Sequence, residues 1–91
     1  MLRKYRVVPL DRPMDDEWYD DHPSASRSVE RWTGIAATDV DARARRVALD
    51  PVVVRRPDGR WRSAAAWMFR GSVGAVRLFE MILVDEAAYD H

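Results

Sequence analysis

A tight turn between two basic, β-forming segments constrains this 91-residue sequence more than any other feature. Pro57-Asp58-Gly59 follows the β-branched run Val52–Val54 and an Arg-Arg pair, and precedes Arg60–Arg62. Proline presets φ at about −65° and glycine tolerates positive φ, so this tripeptide favours a reversal between antiparallel strands. The sequence therefore predicts a β-hairpin over residues 52–62, with an exposed turn and with Gly59 at positive φ.

Helical spacing precedes the hairpin and is interrupted by a glycine. Val29 and Trp32 are three residues apart, and Ser24 or Ser26 is a suitable N-cap for a short helix. Gly34 stands where a helix C-terminus needs a residue that tolerates positive φ. A first helix that ends at Gly34 is therefore predicted.

A second helical stripe follows this glycine. Thr38 is a suitable N-cap, and Thr38 with Asp41 approximates a capping box. Pro51 disfavours helical geometry at Asp50, so the second helix is expected to end there. The apolar stripe of this helix consists of Val40, Ala44, Val47 and Ala48.

The two flanking segments are less regular. Leu2–Val8 favours a strand, and its basic side chains are typical of a sheet edge. The acidic segment Asp15–His22 is interpreted as one helical turn or a loop. Val73–Val84 is the longest apolar stretch, and its polar or small residues recur every three positions. This spacing favours a buried helix, although the β-branched residues suit a strand equally well.

The order of helix, turn, second helix and hairpin over residues 28–62 resembles winged helix-turn-helix domains. In such domains a glycine makes the turn, an apolar residue six positions later holds the second helix on the first, and a wing follows. Arg43 stands where these domains often have an apolar residue. The residues that carry the resemblance are Thr33-Gly34-Ile35, Val40, Ala44, Val47 and the segment Val52–Trp61. The resemblance implies an α+β, small winged-helix-like domain with a β-hairpin wing and a C-terminal apolar helix or strand.

The length predicts a single domain over residues 1–91 with a small core. Its parts are a strand plus acidic segment in 1–23, the helix-turn-helix and wing in 24–62, and the apolar element in 63–91. Val73–Val84 contains charged residues and is too short to span a bilayer, and no signal-peptide pattern is expected. Because cysteine is absent, a cytoplasmic location is predicted.

The resemblance implies a small non-enzymatic DNA-binding or regulatory accessory protein. The second helix would enter the major groove, where a guanidinium contacts guanine, and the wing would lie along phosphates. Residues 27–62 carry nine basic and five acidic side chains, although the whole chain has a net charge of zero. The candidate nucleic-acid-binding residues are Arg43, Arg45, Arg46, Arg55, Arg56, Arg60 and Arg62.

A protein-interaction module is the alternative class. Asp39 and Asp41 would repel phosphate, and together with the zero net charge they favour a protein partner for the same helix and wing. The apolar stretch Val73–Val84 offers surface beyond the needs of a small core, which predicts a homodimer through this segment. The same stretch can equally serve as the central core element.

Neither catalysis nor a cofactor is expected. Hard oxygen ligands and an imidazole in the acidic segment suit a divalent cation, but their spacing matches no defined metal-binding loop. Around them no nucleophile or oxyanion donor is identifiable, so a solvated acidic segment is the preferred interpretation. Trp32, Trp61 and Trp67 are interpreted as core residues rather than as a stacking platform for single-stranded nucleic acid, and Trp18 is expected to be the most exposed tryptophan. The acidic segment and its distant partners are Asp15, Asp16, Glu17, Asp20, Asp21, His22, Asp90 and His91.

Overall fold

Two long strands, β5 and β6, form the centre of the computed structural model, which describes residues 2–12 and 16–86. All strand pairs are antiparallel, and the sheet order is β2-β1-β6-β5-β3, with β4 also paired to β5. The α+β class is confirmed. The elements are β1 (Arg3–Pro9), β2 (Glu17–Tyr19), α1 (His22–Thr33), a 3₁₀ turn (Ala37–Asp39), α2 (Val40–Arg43), β3 (Arg45–Arg46), β4 (Val53–Arg56), β5 (Gly59–Arg70) and β6 (Ala75–Glu86).

Helix α1 begins earlier than predicted, with its N-cap three residues before Ser24. The side chain of Asp21 accepts a hydrogen bond from the amide of Ser24 at 2.7 Å, so Asp21 is the N-cap and the predicted serine caps are wrong. Pro23 fits the first turn because its missing N–H is not needed there. The helix ends at Gly34 with φ 82°, as predicted.

The main core lies between α1 and one face of the sheet, here called the helix face. Leu78 and Val76 of β6 point to this face, as do Phe69 of β5 and Val7 of β1. The buried cluster consists of Val7, Ala25, Val29, Ile35, Val40, Phe69, Val76 and Leu78. Strand residues that alternate with these point to the opposite side, the helix-free face.

The predicted second helix is wrong beyond Arg43. Helix α2 makes one turn, Ala44 is extended, and Arg45–Arg46 pair with β5 as strand β3. The backbone of Val47 continues this pairing by donating to Ala66 O at 3.1 Å. Pairing with β3 satisfies backbone hydrogen-bonding groups at the edge of β5, which a longer second helix would leave without partners. This gain outweighs the helical preference of the apolar stripe that begins at Val40.

Residues 75–86 form a strand, so the favoured helix over Val73–Val84 is wrong. Strand β6 lies centrally between β1 and β5, and its alternating side chains fill both faces. The apolar surface on which a homodimer was expected is therefore largely internal, with Val76, Leu78 and Met81 fully buried.

The acidic segment and β1 also differ from expectation. Glu17–Tyr19 form the short strand β2 rather than a helical turn. Because β2 pairs with β1, β1 has partners on both sides and is not an edge strand.

In the described ranges, no helix is long and apolar enough to cross a membrane.

The hairpin is confirmed. Arg56 pairs with Gly59 across the exposed residues Pro57 and Asp58, and Gly59 has φ 143°. Gly59 itself is buried against β6, where an added Cβ would lie 2.5 Å from the carbonyl oxygen of Asp85. Glycine is therefore required both by the backbone angle and by the approach of β6.

Candidate nucleic-acid interface

Three of the predicted wing arginines share the helix face of the hairpin. Arg55 lies directly opposite Arg60, and Arg62 follows two residues along β5 on the same face. Arg60 is paired with Asp85, whereas Arg55 and Arg62 are exposed and make no ion pair with a described residue. Arg55, Arg60 and Arg62 therefore lie together on one face, with the carboxylate of Asp85 beside them.

Arg56 is separated from these three and has a structural role. Its guanidinium lies 4.1 Å from the ring centroid of Trp18 and pairs with Asp58 at 3.2 Å. The Asp58 carboxylate also accepts from the indole N–H of Trp61 at 3.0 Å. Trp18 is half-buried beneath this cluster, and Arg56 is occupied by intramolecular contacts.

The three arginines predicted to lie on a groove-reading helix do not share a surface. Arg43 is exposed at the end of α2, whereas Arg45 and Arg46 alternate on edge strand β3. Arg46 lies beside Trp67 and points to the helix face, and Arg45 lies beside Met68 on the helix-free face. The prediction that one helix carries all three arginines is therefore wrong.

The sheet brings Arg45 next to residues that sequence reasoning missed. Strand registers align Val8 of β1, Arg77 of β6, Met68 of β5 and Arg45 of β3 in one row across the helix-free face. Arg70 follows Met68 by two positions and points to the same face. We call these five residues the arginine row. No sequence pattern could have found them, because a bulge interrupts the alternation of β5 and polar residues do not alternate with apolar ones along β6.

Charge in the arginine row is unbalanced. Arg77 is half-buried, and its Nε is buried without a hydrogen-bond partner in the described structure. Arg45, Arg70 and Arg77 make no ion pair within residues 2–12 and 16–86. Nearby, Arg6 lies 5.5 Å from the centroid of half-buried Phe79 but is already paired with Asp16.

The helix-free face is closed at one end and open at the other. Trp18 and Trp61 pack edge to face, with centroids 6.3 Å apart, toward the hairpin. No described helix covers the arginine row, because α1 packs on the opposite face. Asp41 lies 3.8 Å from His22 at the start of α1, so this carboxylate belongs to the helix side of the molecule.

Among the described carboxylates, Glu17 has the most perturbed environment, and no sequence pattern predicts it. Its Oε1 accepts hydrogen bonds from Ser28 at 2.6 Å and from Tyr19 and Trp32 at 2.9 Å each, and Arg31 lies at 2.7 Å. Burial alone would raise the pKa of Glu17, but these hydrogen bonds and the charge of Arg31 lower it to about 2. Glu17 therefore ties β2 to α1 as a permanently charged acceptor, unsuited to act as a general base at neutral pH.

The other acidic residues are dispersed among separate partners. Asp16 accepts from Arg6 and Trp18, Asp21 caps α1, and Asp20 pairs with Lys4. Residues 2–12 and 16–86 contain no group of three or more side chains placed to hold a metal ion. The remaining members of the predicted acidic set lie outside the described residues, namely Asp15, Asp90 and His91.

One cavity of about 450 Å³ lies beside Lys4 at the hairpin end of the sheet. The Lys4 ammonium lies 5.6 Å from the Trp61 ring centroid and 3.6 Å from Asp58. The charged residues that line the cavity are of both signs, so the cavity does not favour a ligand of one charge. The lining residues are Leu2, Arg3, Lys4, Asp20, Asp58, Trp61, Leu83 and Glu86.

Comparisons of the chain with protein-family models, with curated proteins and with solved structures found no match.

Proposed function

We propose that this protein binds single-stranded nucleic acid on the helix-free face of its sheet. Arg45, Arg70 and Arg77 contact phosphates, and a base lies over Met68. The observation that carries the proposal is the half-buried guanidinium of Arg77, which lacks a carboxylate partner among the described residues and stands in one row with Arg45.

The electrostatics of the arginine row favour an anionic ligand. A partly buried charge without a partner is costly, and a phosphate oxygen would supply both the opposite charge and a hydrogen-bond acceptor. The nearest basic neighbour, Arg6, is neutralised by Asp16. The arginine row is therefore the free positive surface on this face. Nucleic acid supplies several phosphates at once, which suits a row better than a single anion.

The shape of the surface favours a single strand over a duplex. Helix α2 has only four residues and Arg45 lies on a strand, so no described helix presents these arginines to a major groove. An open antiparallel sheet instead supports unpaired bases on apolar and aromatic side chains.

The absence of cysteine supports a reducing cytoplasmic setting, and a role without catalysis is part of the same proposal.

Fluorescence anisotropy with a labelled oligothymidylate at low salt tests the proposal. Arg45→Ala and Arg70→Ala remove exposed charges from the helix-free face, and together they should weaken binding about tenfold or more. Arg55→Ala with Arg62→Ala is the matched control, because it removes the same charge from the helix face. This control should bind nearly as well as the parent protein.

Two results would overturn the proposal. One is the absence of measurable affinity for oligothymidylate at low salt. The other is an equal loss of affinity in the test pair and the control pair, which would show non-specific attraction rather than a site. Tighter binding of a duplex of the same length would contradict the preference for a single strand.

A further inference from the structure

Strand β4 leaves one backbone edge without a partner in the described structure. It pairs with β5 on one side, and no described strand lies on its other side. Val52 extends this pairing, because its carbonyl accepts from the Ser63 amide at 3.1 Å and its amide donates to Ser63 Oγ at 3.0 Å. Backbone groups alternate in direction along an antiparallel strand, so those of Val53 and Arg55 point outward.

The side chains along this edge combine exposed apolar surface with positive charge. Val52 is 46 % exposed and Val53 is 52 % exposed. Arg55 lies directly opposite Arg60, and like charges in such a pair disfavour the sheet unless an anion lies nearby. Asp85 neutralises only Arg60. The outer edge of β4 therefore has both free backbone hydrogen-bonding groups and a local excess of positive charge.

We infer that the outer edge of β4 receives an extended acidic segment of another protein as an added antiparallel strand. Main-chain hydrogen bonds to Val53 and Arg55 supply the affinity common to strand addition, and side chains select the partner. Carboxylates on one face of the segment contact Arg55 and Arg62, and an apolar side chain on its other face packs on Val52. This interaction uses the helix face of the hairpin and is independent of the arginine row.

The charge of the edge argues against a second copy of the chain as its occupant. Antiparallel pairing of two β4 strands would bring Arg55 and Arg56 of each copy close to those of the other. The other described edges are shorter, with three residues in β2 and two in β3. Pro51 and Pro57 bound the usable part of β4, so the bound segment is short.

Backbone amide exchange measured by NMR tests the inference with a capped synthetic peptide of alternating Glu and Val. The amides of Val53 and Arg55 should exchange more slowly with the peptide, whereas the Val54 amide already faces β5 and should change little. A peptide of the same sequence with alternate N-methyl amides loses its donors and is the matched control. It should not protect either amide.

A charge reversal provides the second measurement. Arg55→Glu should weaken binding of the Glu-Val peptide about tenfold or more and should favour a Lys-Val peptide instead. Val53→Pro removes an outward amide without removing a β4–β5 hydrogen bond, and it should abolish binding of either peptide.

The inference is overturned if the Glu-Val peptide leaves the Val53 and Arg55 amides unprotected, or if the N-methylated control binds equally well. Protection that grows with protein concentration without peptide would assign the edge to a second copy. Adding oligothymidylate should not protect these amides, so this inference and the nucleic-acid proposal fail or succeed separately.

Discussion

The guanidinium of Arg56 lies 4.1 Å from the ring centroid of Trp18, joining β4 to β2 although three strands separate them in the sheet. The sheet must curl for these strands to meet. Two bulge-like register shifts between β5 and β6, at Arg60/Trp61 and Ser63/Ala65, provide the local twist that makes this curl feasible. The Arg56–Trp18 contact therefore closes the hairpin end of the helix-free face over buried Trp61.

This contact should appear as a coupling energy in a double-mutant cycle. Arg56→Ala combined with Trp18→Leu should show a coupling of about 0.5–1.5 kcal/mol in urea unfolding, since the cation–π contact is partly shielded from water. Arg55→Ala is the control, because its side chain points to the other face and should be additive with Trp18→Leu. Additivity in the Arg56 cycle would mean that the contact contributes nothing to stability.

Glu17 should make stability depend on acid pH. Its pKa falls from 4.5 to about 2 on folding, so its contribution is complete above the unfolded pKa and is lost as the pH falls from about 5 to about 2. Glu17→Gln should destabilise the protein by about 2 kcal/mol at neutral pH, after allowance for the partial exposure of the carboxylate.

Urea unfolding of the parent protein and Glu17→Gln across this pH range checks the prediction. The two stabilities should converge toward pH 2, where the parent carboxylate also becomes neutral. Asp20→Asn serves as the control, since Asp20 is highly exposed and pairs only at the surface. A constant difference between parent and Glu17→Gln at every pH would contradict the assigned role of the charge.

Gly59 should tolerate substitution less well than Gly34. A Cβ at Gly59 meets the backbone oxygen of Asp85 at 2.5 Å, whereas a Cβ at Gly34 meets the side chain of Val73 at 3.0 Å. Gly59→Ala should cost more than about 2 kcal/mol, because backbone of the central strand must shift. Gly34→Ala should cost about 1 kcal/mol through left-handed strain. Thermal or urea unfolding ranks the two variants, and the reverse order would be inconsistent with the packing of Gly59 on β6.

Salt dependence should report the number of phosphate contacts in the arginine row. Three contacts with a single strand give a slope of log affinity against log salt of about −2. Arg45→Ala should reduce the steepness by about 0.7, and Arg62→Ala should leave it unchanged. A slope that responds to Arg62 and not to Arg45 would place the phosphates on the hairpin instead.

Local backbone chemistry explains what could be predicted from the sequence. The Pro57-Asp58 turn, the conformation of Gly59 and the glycine after α1 depend on a few adjacent residues, and all three are confirmed. Helix α2 and β6 were misjudged because their outcome depends on strand partners far away in sequence. An apolar stripe from Val40 to Ala48 could not show that β5 would need an edge partner at Arg45–Arg46.

The candidate interface was predictable only in part for the same reason. Arg55, Arg60 and Arg62 remain together because a hairpin fixes their register locally. The alignment of Arg45 with Arg77 requires the registers of two strand pairs, β3–β5 and β5–β6, neither of which the sequence specifies by itself. Glu17 was missed because its four donors come from β2 and α1 together.

The central position of β6 has a consequence for the order of folding. Every residue of β1 pairs with a residue of β6 between Val76 and Ile82, which lies far away in sequence. Strands β5 and β6 are neighbours in sequence, so they can form a hairpin without β1. Such long-range pairing slows folding, with times of milliseconds to seconds typical of β-rich domains. During synthesis, β1 can pair with β2, but its other edge and the apolar side of α1 would remain without their β6 partners until residues 75–86 leave the ribosome. The growing chain would then expose an open strand edge and an uncovered helix, the kind of surface that chaperones bind.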